Sequence, residues 1–255
     1  MRTLQTRLMV PSPGLCVVAA LLSPSAVADS RSDAISSAVD YCSDPTTAVD
    51  EERTSRLSED HTILCFDGRI SAHLDLWPLR QLENNGFFVI RSIGGDIFMA
   101  MKIADALWEK NATVIIRVAN AILIASKRSY VLADTIIAWH GGLADCEDPE
   151  VAAALARLHR SCTVVDWAGT FFAKRGIDRR YTIKPPTHYT RKMFDIVLQA
   201  APNKRAVFWM WHPKSHGDHF KDRIVYESYP DSQESVDAIV RRFRLYIRVV
   251  YDPEE

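Results

Sequence analysis

Two groups of residues in this 255-residue chain carry the types and spacing that chemistry needs. The first is Ser92-Ile93-Gly94-Gly95 together with His140. Glycines between a strand and a helix let backbone N–H groups point at a ligand, and the helix start adds partial positive charge. Such donors can hold the oxyanion of an acyl-transfer transition state. His140 ends an apolar strand and precedes Gly141-Gly142, where an imidazole can act as general base near neutral pH. Taken singly, each has a plainer explanation, a structural turn and a hydrogen-bonded strand-end histidine. The second group is His212, His216 and His219, with Asp218 beside them. Three imidazoles and a carboxylate can ligate zinc or copper, but Pro213 and Gly217 suit a polar surface loop. Trp209 and Trp211 alternate with Met210 as in a half-buried strand, with a ligand platform the weaker alternative.

The elements that must position these groups follow from the apolar pattern. Ile63–Phe66, Phe87–Ile90 and Thr113–Ile116 read as strands, and a third strand of the central stretch ends in Ala138-Trp139-His140-Gly141-Gly142. Helix-like runs cover Leu74–Glu83, Asp96–Lys110, with Asp96 as N-cap, and Asn120–Val131. Strands that are nearly all apolar and alternate with helices imply parallel pairing, covered on both faces. Further on, Asp148–Lys174 reads as a long helix stopped by Gly176, and Thr190–Leu198 as another. Val207–Trp211 and Ile224–Glu227 read as strands, and a last helix starts near Asp231. The basic stretch Arg241-Arg242-Phe243-Arg244 with Arg248 reads as a solvated helix face.

The order of strand, Gly94-Gly95 turn, helix, strand, helix, and strand ending in His140-Gly141-Gly142 resembles the core of the ClpP/crotonase superfamily. The resemblance covers roughly Ile63 to Gly142 and is nearest to a secreted or periplasmic Clp-protease-like branch. It implies an α/β fold: a repeated ββα spiral core with a parallel sheet and flanking helices, spanning about residues 61–255. It also implies Gly94, Gly95 and Val118 as oxyanion-binding positions and His140 as the base. The branch carries a Cys-x-Ser-x-Cys-like nucleophile segment, and matching the helix Asn120–Val131 puts Arg117 in that slot. If that helix forms, Ser126 lies about 13 Å along its axis from Arg117, beyond a base's reach. Ser129 is farther still, and Asp178 and Asp195 are both open as the third acid.

The resemblance therefore implies an inert homologue that binds a peptide or small acyl ligand, with no cofactor and with possible homo-oligomers, since relatives form rings or trimers. The competing expectations are a hydrolase with an unrecognised nucleophile, a crotonase-like enolate site using Asp96, and a metal-binding module through His212, His216 and His219.

Composition bounds these options. The chain is 47% apolar and 25% charged, with formal net charge -1, which gives no polycation-like attraction to nucleic acid or anionic lipid. Residues 1–28 read as a secretory signal: Arg2 and Arg7, the apolar Gly14–Leu22, then Ala26-Val27-Ala28 before Asp29. That apolar run is too short for a bilayer, so a periplasmic or secreted protein is expected, without membrane attachment after cleavage. Without those residues the chain has 29 basic and 32 acidic groups. Residues 29–60 read as a polar extension, with a short helix around Ala34–Tyr41 and then a linker. Cys42, Cys65, Cys146 and Cys162 then remain, consistent with two disulfides or with buried thiols. Cys42–Cys65 with Cys146–Cys162 is the sequence-local pairing.

Overall fold

The computed structural model describes residues 24–43, 54–120, 126–139, 170–177, 206–210, 223–245 and 247–251. Among them, a mixed and mostly parallel sheet is flanked by helices, an α/β arrangement. The elements are α1 (Pro24–Tyr41), β1 (Thr54–Leu57), β2 (Ile63–Asp67), α2 (Trp77–Gln81), β3 (Phe87–Arg91), α3 (Ile97–Glu109) and β4 (Thr113–Asn120). They continue as β5 (Arg128–Val131), β6 (Ile137–Trp139), β7 (Ala206–Met210), β8 (Ile224–Tyr226), α4 (Gln233–Arg242) and β9 (Ile247–Val250).

The centre is built from the three apolar runs. β2, β3 and β4 pair in parallel, with Leu64 beside Phe88 and Phe88 beside Val114. Their residues are hydrophobic on both faces because both faces are covered. On one face Leu64, Phe66, Phe88, Ile90, Val114 and Ile116 pack under α3, whose Met101, Ile103, Ala104 and Leu107 are almost fully buried. On the other, Val89 and Ile115 pack against Ile35, Ala38 and Cys42 of the first helical segment. α3 starts where the sequence signals it: Asp96 is the N-cap, and its Oδ1 accepts the Met99 N–H at 2.8 Å.

β4 forks the sheet. Its first half, Thr113–Ile116, pairs in parallel with β5, which in turn pairs with β8. Its second half, at Ala119 and Asn120, pairs with β6, and that branch continues through β7 to β9. α4 closes over this branch. Ser232 caps it by accepting the Ser235 N–H, and Gln233 ties it to β9 through Val249 O and the Tyr251 N–H. Val236 and Ile239 of α4 join Val118, Ile136, Leu245 and Val249 in a second core cluster.

Three features differ from the sequence expectation. The helix expected over Asn120–Val131 is absent at both described ends: Asn120 closes β4, and Arg128–Val131 is strand β5. The segment alternates exposed Arg128, buried Ser129, half-buried Tyr130 and buried Val131, a period of two that strand pairing on both sides rewards. The segment expected to be a linker instead contributes β1, an antiparallel partner of β2. The helix expected from Ala34 starts at Pro24, so it continues through Ala28 and Asp29.

The expected Cys42–Cys65 pairing is present as a disulfide that ties the end of α1 to β2. Near residue 174 the expected stop is also present: Gly176 has φ 68°, and Ile177 N–H reaches back to Phe172 O. No helix among the described residues is long and apolar enough to cross a membrane.

Candidate functional site

β2 and β3 end side by side at Asp67 and Arg91, with Val118 of β4 opposite Arg91, on the C-terminal side where open α/β sheets hold their ligands. The Ser92–Gly95 turn leaves β3 there and enters α3. Its shape requires glycine. Gly94 and Gly95 have φ of 95° and 146°, and a Cβ on Gly95 would lie 2.0 Å from Ile70 O. Ile70 brackets Gly95, giving its N–H to Gly94 O and accepting from the Asp96 N–H.

The donors of this turn are partly spent. The Gly94 N–H goes to Ser92 Oγ at 3.1 Å, and the Ser92 N–H goes to Val118 O at 2.8 Å. Asp96 already places a carboxylate at the start of α3, which compensates the helix end. Gly95, exposed at the surface, is the residue of the turn that presents its backbone outward. Ser92 is fully buried with its hydroxyl held inside the turn, so it offers no nucleophile.

The register between β3 and β4 slips here. Ile90 is opposite Ile116, but Arg91 is opposite Val118, so Arg117 is the extra residue of a β-bulge. Val118 is thereby drawn beside the turn, its carbonyl bound to Ser92 and its buried side chain turned into the α4 cluster. Arg117 points elsewhere. Its Nη1 donates to Cys42 O at 3.0 Å, across 75 residues of sequence, and so holds a carbonyl at the C-terminal end of α1. Burial first, and the nearby Arg91 cation second, lower the Arg117 pKa below the usual guanidinium value.

Beside it lies an ion pair that belongs to neither sequence motif. Arg91, 6% exposed, forks onto Asp67: Nε to Oδ1 and Nη2 to Oδ2, both 2.6 Å. The sequence carried a signal for it, since Asp67 and Arg91 each end an otherwise apolar strand of a parallel pair. A charge in that place needs a partner on the next strand.

Of the residues singled out from the sequence, Gly94, Gly95 and Val118 are thus brought together, and the backbone of Arg117 lies beside them. The helical distance that put Ser126 out of reach does not apply, because Ser126 lies in a bend and not on a helix. It is nonetheless fully buried, its Oγ donating to Arg128 O and 2.8 Å from Ser129 Oγ. His140, Asp178, Asp195, Cys146, Cys162, Trp211, His212, His216 and His219 lie outside the described residues, as does most of Asp148–Lys174 and all of Thr190–Leu198. No protein-family model matches the chain, and no curated protein matches it in sequence.

Proposed function

We propose that this chain is an exported, catalytically inert relative of the ClpP/crotonase-type enzymes that binds a peptide or small acyl ligand at the Gly94-Gly95 turn. The helix that was to put Arg117 in the nucleophile slot does not form at either described end, so the reading rests on the side chains that the fold does bring beside the turn. Arg117 is a bulge residue whose guanidinium is committed to the Cys42 carbonyl, and the nearest hydroxyl of the turn, Ser92, is buried and bound. The exposed Gly95 backbone supports a ligand carbonyl as the group received there. The forked pairing of β4 supports a sheet that turns into a second layer, as a spiral core requires.

A fluorophosphonate probe tests the inert half. Intact-mass measurement on the purified protein is expected to show no covalent adduct. An adduct that disappears in His140→Ala would overturn the reading and favour a hydrolase with an unrecognised nucleophile. The binding half is tested by fluorescence polarisation with a pool of N-acetylated peptides. Saturable binding is expected, and its complete absence would leave the Gly94-Gly95 turn without a ligand role.

A further inference from the structure

Away from the Gly94-Gly95 turn, three cations converge on one indole. Lys127 Nζ lies 5.3 Å from the centre of the Trp108 ring, Arg175 Cζ 5.3 Å and Arg223 Cζ 5.6 Å. They come from three separate places in the chain: the bend before β5, the turn that ends at Gly176, and the residue preceding β8. An indole has two faces, so at least two of these three cations share one. Arg223 is anchored here through its backbone and lies close to Gly176. The Ser129 N–H donates to Arg223 O at 2.7 Å, and a Cβ on Gly176 would lie 3.5 Å from Arg223 Nη2.

Among the described residues, only Asp105 forms an ion pair with one of the three cations. Arg175 pairs with Asp105, stacks on Phe171 and donates through Nη1 to Phe171 O. Its Nε remains buried without a hydrogen-bond partner although Arg175 is only 7% exposed. Arg223 Nη1 is likewise buried and without a partner. The ring quadrupole attracts each cation, but it does not neutralise their mutual repulsion. Among the described residues, one carboxylate pairs with these three cations, and two buried donors stay unsatisfied, a costly arrangement unless a counter-ion supplies the acceptors.

We propose that Lys127, Arg175 and Arg223 around Trp108 form a binding site for a dianionic oxyanion of the phosphate type. Lys127 and Arg223, both partly accessible, take the oxygens directly; Arg175 is held as a buried positive charge behind them. A side-chain rotation of Arg223 brings its unpartnered nitrogen to the anion, a movement of the size commonly seen on binding. This site is independent of the proposed function above, since it shares no residue with the turn or the bulge.

The test is thermal unfolding of the purified full chain in inorganic phosphate against chloride at matched ionic strength. Saturating phosphate is expected to raise the melting temperature by about 4 °C or more. Lys127→Gln and Arg223→Gln are each expected to weaken the apparent affinity roughly tenfold. Both positions are only half-buried, so the variants should fold, and their anion-free melting temperatures check this. Phenyl phosphate is run alongside. Tighter binding of the ester supports a phosphorylated organic ligand, and tighter binding of the free ion supports phosphate itself. Equal melting temperatures in phosphate and chloride would overturn the site, as would full shifts in both variants. An equal effect of acetate would overturn its selectivity for a dianion.

Discussion

Two clusters of cations in this protein are handled in opposite ways. At the C-terminal edge of β2–β4, Arg91 is forked onto Asp67 and Arg117 is bound to the Cys42 carbonyl. Around Trp108, Arg175 and Arg223 keep buried nitrogens with no acceptor, and Lys127 adds a third charge. A buried guanidinium costs several kcal/mol in lost hydration unless its hydrogen bonds are replaced. The first cluster has its replacements within the chain, which marks it as part of the framework. The second lacks them, which marks it as a place for something external. The difference separates a cation that stabilises the fold from one that is stored for a ligand.

The largest expected effect breaks the satisfied cluster. Asp67→Ala removes the carboxylate that two Arg91 nitrogens engage, and it should cost about 3–5 kcal/mol in urea unfolding. A loss below about 1 kcal/mol would show that the pair is not needed by the framework.

Next is the tether beside it. Cys42→Ser with Cys65→Ser opens a link between residues 23 apart, which the chain-entropy argument values at about 3 kcal/mol. Hydrogen exchange should then rise first in residues 35–42. Uniform loss of protection across β2–β4 would show instead that the first helix is integral to the sheet.

The smallest effects sharpen the comparison most. Arg117→Gln loses a charged hydrogen bond but also relieves burial and the repulsion from Arg91, so a net change of about 1 kcal/mol or less is expected. Arg223→Gln in anion-free buffer should be neutral within about 0.5 kcal/mol, because it removes a donor that has no acceptor. A clear destabilisation by Arg223→Gln would mean that the cation already serves the fold, and the two clusters would no longer differ.

A pH titration adds an independent check on the β8 side. Burial raises the Tyr226 and Tyr229 phenols well above the usual value, so the folded state retains protons that the unfolded chain releases above about pH 10. Stability is therefore full below that pH and falls as pH rises through it. Tyr226→Phe, which removes a buried hydroxyl without a partner, should flatten this alkaline fall without lowering stability at neutral pH.

Much of the framework was legible in the residues themselves. The apolar runs at Ile63, Phe87 and Thr113 declare strands covered on both faces, and Asp96 declares the start of α3. Gly94-Gly95 declares a turn that side chains cannot occupy, and Gly176 a helix stop. These are local properties, set by steric limits on φ and by the period of burial along one element. The strand at Arg128–Val131, the bulge at Arg117, the grip of Arg117 on Cys42 and the gathering of three cations on Trp108 were decided by the tertiary structure. Each depends on which distant segment becomes a neighbour, and periodicity along a segment reports that a side is buried without naming the residue that buries it.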